Sequence, residues 1–146
     1  MSVYQFIVHV AAPPESVFDL WTNVDRMAEW VGGVTKVTDI TGPTDQTGTR
    51  YTVWFGSMHS TTEILEGVRP RLIRTRFGNR LLRGETRVTF EPVGDGTRLT
   101  QEFRTEGLIP AIVARVFATG SYRGSFRGEL NAFARLAEQD ARQTTG

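Results

Sequence analysis

Apolar and polar positions alternate along residues 3–10, with Tyr4, Phe6, Val8 and Val10 on one face, and a period of two over β-forming residues predicts a strand. Pro13 and Pro14 stop it, and Pro14 fits the first turn of a helix, where its missing N–H is not needed. Val17, Phe18, Leu20 and Trp21 then repeat at helical spacing. Residues 23–30 predict a second short helix, with Asn23 as its cap and Met27 and Trp30 facing in, ended by Gly32 and Gly33.

After Gly33 the period returns to two. Strands are predicted over 34–40, 50–57, 59–68, 72–77, 82–91 and 98–105, with a loop over 41–48, a turn at Arg69-Pro70-Arg71 and a hairpin turn at Gly94-Asp95-Gly96. From Pro110 to Arg142 the period is again helical. The order is one strand, two short helices, six strands and one long helix. Short turns between successive strands make an antiparallel meander, and one long helix has to bury its apolar stripe against it. The expected fold class is therefore α+β: a curved seven-stranded antiparallel sheet wrapped around a long C-terminal helix, with two short helices after the first strand. Residues 1–142 are read as one domain and 143–146 as a loose tail. Such a sheet and helix leave a space between them, and roughly 300–1,000 Å³ is the common range for a small-ligand site.

The alternation also assigns faces. The inward set on the later strands is Ile73, Thr75 and Phe77; Thr86, Val88 and Phe90; Leu99, Gln101 and Phe103. Glu63, Glu85 and Glu102 fall on the opposite face beside Arg83, Arg87 and Arg104, as a cross-strand charge lattice toward solvent. Thr75, Thr86 and Gln101 are then the polar punctuation of an apolar wall, the usual make-up of a ligand site. The expected lining is Trp30, Tyr51, Phe55, Thr75, Phe77, Thr86, Val88, Gln101 and Phe103 from the front of the chain and the sheet, and Val116, Arg123 and Phe126 from the long helix. Trp54 and Phe117 belong to the same group of core-or-wall aromatics.

On the long helix, Ile109, Ile112, Val116, Phe126, Leu130, Phe133, Ala134 and Ala137 form one stripe at 100° per residue, and Arg123 falls close to its centre. A lone buried charge is prohibitive, so Arg123 meets a carboxylate, meets a ligand oxygen in a wet cavity, or snorkels outward. Glu66, turned inward by a bulge near Gly67, is the acid expected to meet it. Gly120, Gly124 and Gly128 recur every fourth residue of the helix, which points to a close backbone approach there.

The 146 residues are 39% hydrophobic and 23% charged, ordinary globular material. Seventeen basic and 16 acidic side chains leave a net charge of +1, which gives no reason to expect nucleic acid. Without cysteine there is no disulfide or thiolate chemistry, and a reducing, cytoplasmic setting is expected. No signal peptide and no membrane span of roughly 20 apolar residues is read from the chain. The two histidines, His9 on the outer face and His59 at a strand start, have no metal-ligand spacing, and neither metal nor cofactor is expected. His59 is an acid–base candidate if it faces the cavity mouth, and a hydrogen-bonded strand-end histidine otherwise.

Three stretches resemble the START-like (SRPBCC) superfamily in its polyketide cyclase/dehydrase and lipid-transport branch: Ala12-Pro13-Pro14-Glu15-Ser16-Val17-Phe18-Asp19-Leu20-Trp21, Glu66-Gly67-Val68-Arg69-Pro70-Arg71-Leu72, and Gly96-Thr97-Arg98-Leu99-Thr100, together with Trp30. The resemblance implies a helix-grip fold that encloses a small hydrophobic ligand, in a monomer or weak homodimer. It leaves activity open, because one scaffold carries binders and enzymes. The first reading is a carrier for an apolar or aromatic metabolite. The second is a polyketide cyclase or dehydratase, with Arg123 stabilising an enolate and Gln101, His59 or Tyr122 handling protons. The third is a partner-binding protein that uses the fold as an interaction surface. No nucleophile–base pair, phosphate loop or metal cluster is present in the sequence, so an enzyme here would act by shaping its substrate and moving protons.

Overall fold

The computed structural model describes residues 2–78, 83–106 and 121–145, leaving aside the side chains at 2, 105, 106, 121–127, 144 and 145. Strand β1 (Ser2–Val10) leads into α1 (Pro14–Thr22) and a 3₁₀ helix (Val24–Glu29). Then come β2 (Lys36–Thr38), β3 (Arg50–Phe55), β4 (Met58–Val68), β5 (Leu72–Gly78), β6 (Arg83–Val93) and β7 (Gly96–Glu106), and finally α2 (Ser121–Thr145). The seven strands form one sheet in the order β1-β7-β6-β5-β4-β3-β2, every neighbouring pair antiparallel. This is the expected α+β helix-grip architecture.

The local chemistry explains most boundaries. Pro13 stands at the N-cap of α1 in an extended conformation, and its carbonyl accepts the Val17 N–H at 3.1 Å. Asn23 precedes the 3₁₀ helix without a side-chain capping bond, so the expected cap is made by backbone alone. The second strand is shorter than the expected 34–40. Asp39 adopts φ of 58°, a left-handed conformation that ends the ladder after Thr38, and Val34 is buried in the core. Within the expected Gly94-Asp95-Gly96 turn, the last hairpin turns on Gly94-Asp95. Val93 pairs with Gly96, and φ of 59° at Gly94 places glycine first in the two-residue turn.

The core lies between the concave face of the sheet and the two long helical elements. Val17 and Phe18 of α1, Val88 and Phe90 of β6, Leu99 of β7, and Leu130, Phe133, Ala134 and Ala137 of α2 are buried there. The apolar stripe of α2 is thus as expected over its described turns. The expected start of the helix at Pro110, with Ile109, Ile112, Val116, Phe117 and Gly120, lies outside the described residues. At the other end the helix runs past Arg142 to Thr145, so residues 143–145 continue it rather than forming a tail. Around Gly128 no described atom outside its own helix backbone lies within 4 Å of where a β-carbon would stand, so no described element makes the close approach expected there. Gly124 has no described side-chain surroundings.

Acidic side chains fasten α2 to the front of the chain. Glu138 accepts the Ala11 N–H at 2.9 Å, Asp140 ion-pairs with Arg26 of the 3₁₀ helix, and Glu129 accepts the Gly32 N–H at 3.2 Å. On β4 a bulge falls between Ile64 and Glu66. Simple alternation from Thr62 and Ile64 would point Glu66 inward; the extra residue turns it outward, opposite Arg74, whose Nη1 lies 3.2 Å from Glu66 Oε1. Glu66 is therefore a member of the outer charge lattice and is not a partner for a cation in the interior.

A β-carbon at Gly67 would run into the carbonyl oxygen of Asp45, because the 41–49 loop lies against the bulge. Gly48 N–H donates to Ile64 O and Ile64 N–H to Thr49 O, both at 2.8 Å. Backbone on both sides leaves no flexible atom to move away. Gly67→Ala is expected to destabilise the fold by about 3 kcal/mol, measured by denaturant unfolding. A loss under about 1 kcal/mol would show that the loop yields freely.

Candidate functional site

A cavity of about 460 Å³ opens over the concave face of β3–β7. One side is formed by Trp21, Met27, Trp30 and Val31 of the front helices, the floor by the sheet, and Glu129 enters from α2. Its walls are mostly apolar, with a polar band across the floor. Tyr51 on β3, Thr62 on β4, Thr75 on β5, Thr86 on β6 and Gln101 on β7 all line it, one polar residue from each of five successive strands. The register produces this band: Tyr51 faces Thr62, Thr75 faces Thr86, and Gln101 stands opposite Val88, one diagonal step from Thr86. Ile64 and Ile73 lie on one side of the band and Phe77 and Phe103 on the other, with those two rings stacked at 5.1 Å.

The groups of the band differ in how they are satisfied. Tyr51 is buried and shares a side-chain hydrogen bond with Thr62, and burial pushes its phenol up to about 12. Gln101 is only 8% exposed, and no hydrogen bond holds its amide among the described residues. An amide in that position is available to a ligand or water in the cavity. Trp30 packs on Trp21 at 4.8 Å and on Phe133 at 4.9 Å, and its Nε1 is buried with no hydrogen-bond partner among the described residues.

Most of the expected lining residues converge here. Trp30, Tyr51, Phe55, Thr75, Phe77, Thr86, Gln101 and Phe103 all border the cavity. Val88 does not. It is fully buried in the closed part of the core, two residues beyond Thr86, where α1 covers the sheet and Phe18 meets Phe90 edge-on at 5.4 Å. Val116 lies outside the described residues, as do the side chains of Tyr122, Arg123 and Phe126. His59 is at the rim, exposed, with its ring 4.8 Å from Trp54. Trp54 turns to the outer face, where its Nε1 donates to Thr38 Oγ1 at 2.8 Å and Lys36 sits 5.1 Å from its ring. It is not part of the wall.

Glu129 is the lining residue that the alternation and the helical stripe missed. It stands one turn before Phe133 at the edge of the apolar face, and an acid at that edge was the available signal. Half-buried against apolar walls, its carboxyl is pushed up to about 6, with the Gly32 N–H partly opposing the shift. Because the folded pKa lies above the ordinary 4.5, the folded chain binds this proton more tightly than the unfolded one. The resulting stabilisation is complete below pH 4.5 and is lost as the pH rises through about 6. Solvent still reaches the group, so the effect is on the order of 1 kcal/mol. Glu129→Gln should therefore gain melting temperature relative to the native chain at neutral pH and not at pH 4.5. A difference independent of pH would show that Glu129 is fully hydrated.

A smaller groove on the outer face is lined by Glu66, Arg74, Glu85, Arg87, Glu102 and Arg104. Arg87 stands opposite Glu102 and Glu85 opposite Arg104 in register, and ion pairs join Arg74 to Glu66 at 3.2 Å and Arg76 to Glu85 at 3.7 Å. This is the expected solvent-side lattice, and exposed pairs of this kind contribute little to stability. Among the described residues no three His, Asp or Glu side chains come together as a metal site. No described helix is long and apolar enough to cross a membrane.

A curved antiparallel sheet, a C-terminal helix and a cavity between them define a helix-grip domain of the START-like superfamily. The chain belongs to the family of polyketide cyclase / dehydrase and lipid transport proteins, whose pattern matches residues 3–138. Among solved structures, that of a Thermobifida fusca protein superposes with a TM-score of 0.75 at 17% identity, covering 95% of each chain. Ara h 8.0201 gives a TM-score of 0.70 at 12% identity, over 93% of this chain and 98% of that one. DynU16, described as a protein in the dynemicin biosynthetic locus, gives 0.69 at 21% identity, over 97% of this chain and 49% of that one. These identities carry the fold alone. Among curated protein sequences none matches the chain. Family and fold fit a ligand-binding or a cyclase-like role.

Proposed function

We propose that this domain binds a small hydrophobic or aromatic metabolite in the cavity between the sheet and the C-terminal helix. The observation that carries this reading is the cavity itself: about 460 Å³, apolar walls, and a polar band in which the buried Gln101 amide has no hydrogen bond among the described residues. Its volume suits a molecule of two or three fused rings, and the band supplies orientation without a fixed positive charge among the described lining residues. Titration with naphthalene-type fluorescent probes tests it. Saturable binding that is lost when the cavity is filled by substitution supports the reading. Absence of binding across an apolar panel contradicts it.

Glu129 favours a second reading, a cyclase or dehydratase of the polyketide type. A carboxylate raised to about 6 inside an apolar cavity is placed to take a proton from the carbon beside a carbonyl. The Gln101 amide would donate to the enolate oxygen that forms, and loss of water from the condensed product would return the proton. The likeness to DynU16, from a biosynthetic locus, is in keeping with such chemistry. A bound metabolite recovered unchanged after prolonged incubation supports the carrier; a product lighter by one water supports the enzyme.

A further inference from the structure

We propose that Glu129 is a specificity-determining residue: the cavity selects uncharged ligands that carry a hydroxyl, which donates its hydrogen to the Glu129 carboxylate, and it rejects ligands that carry a carboxylate. This deepens the ligand-binding reading and rests on it.

The argument starts from unused acceptors. An ionised carboxylate offers about four lone-pair sites. Glu129 fills one of them, through Oε1 and the Gly32 N–H at 3.2 Å. Among the described residues Oε2 has no hydrogen-bond partner, and no described cation pairs with the group. The carboxyl is nonetheless half-buried and lines the cavity opposite the sheet. Burial without a counter-charge disfavours the anion, in keeping with its pKa of about 6, and at neutral pH the group remains ionised and short of donors. A ligand hydroxyl supplies the missing donor in a charge-assisted bond.

The opposite wall completes the pattern. Gln101, at 8% exposure, presents an amide with no described partner, and Thr75 and Thr86 face each other beside it. Amide and hydroxyls both donate and accept, so this wall tolerates a carbonyl, an ether or a hydroxyl. Glu129 only accepts. The ionisable groups in the described lining are Glu129, His59 at the exposed rim and Tyr51, whose phenol is neutral at physiological pH. None of these offsets a ligand carboxylate placed beside Glu129, where like charges repel strongly in a low dielectric. The ligand chemistry that satisfies both walls is a flat apolar body, neutral, with a hydroxyl at the helix end.

Three size-matched bicyclic probes test this at neutral pH by calorimetry: naphthol, methoxynaphthalene and naphthoic acid. The native chain should bind naphthol about 10-fold or more tighter than methoxynaphthalene, and naphthoate most weakly. Glu129→Leu should lower naphthol to the level of methoxynaphthalene and leave methoxynaphthalene unchanged. Glu129→Gln keeps an acceptor for Gly32, serves as the folded control, and should raise naphthoate affinity about 10-fold. Equal affinities for naphthol and methoxynaphthalene in the native chain, or naphthoate as the best of the three, would overturn the inference while leaving the ligand cavity in place. Failure of all three probes, with the protein folded, would overturn the cavity reading and this inference together.

Discussion

Truncation of Phe133 to alanine is expected to destabilise the domain by about 3–5 kcal/mol. Phe133 is fully buried on α2 and holds three elements together. Its ring meets Trp21 of α1 at 5.1 Å and Trp30, just after the 3₁₀ helix, at 4.9 Å, both edge-on. The two tryptophans also touch each other at 4.8 Å, and Trp21 meets Phe90 of β6 at 6.4 Å. Removing the ring takes the apolar contact away and leaves a void that the rigid indoles cannot collapse into. Denaturant unfolding reads the loss. The tryptophan emission of the folded variant should shift as well, because both indoles lose the same neighbour. A change under about 1 kcal/mol would mean that α2 is not held to the front helices by this cluster.

The second large effect concerns the cavity. Thr75 projects into it from the middle of β5, flanked in register by Ile64 and Thr86. Thr75→Trp places an indole in space that is empty in the native fold. Because the new volume enters a cavity and not packed core, the stability change should stay within about 1–2 kcal/mol. Affinity for an apolar probe should fall by about 2 kcal/mol or more, roughly 30-fold. Unchanged affinity in a folded Thr75→Trp protein would place the binding site elsewhere.

Strand faces were legible in the sequence wherever the period of two ran unbroken. Ile73, Thr75 and Phe77, then Thr86, Val88 and Phe90, then Leu99, Gln101 and Phe103 all point inward as the alternation requires. The same parity put Glu85, Arg87, Glu102 and Arg104 on the outer face, where they stand opposite one another in register. The reading failed at Glu66, which a bulge near Gly67 is expected to turn inward; the bulge falls after Ile64 and turns it outward. A bulge is set by what packs against the strand, here the loop at Asp45 and Gly48, and no local pattern in β4 announces that contact. Inward direction also does not separate wall from core. Val88 and Thr86 share a face, yet α1 covers the first and leaves the second open to the cavity. That difference is tertiary. Glu129 was missed for a related reason: a helix places an acid at the margin of its stripe without saying whether the neighbouring element leaves water or apolar wall beside it.

The most direct test of the account is a nuclear magnetic resonance titration of the isotope-labelled chain with the tightest apolar probe found. Binding within the cavity predicts contacts between probe protons and the methyl groups of Thr62, Ile64, Ile73, Thr75 and Thr86, with Gln101 side-chain amide signals moving in step. Perturbations confined to the outer face around Arg74, Glu85 and Arg87, or none for any apolar compound, would contradict it.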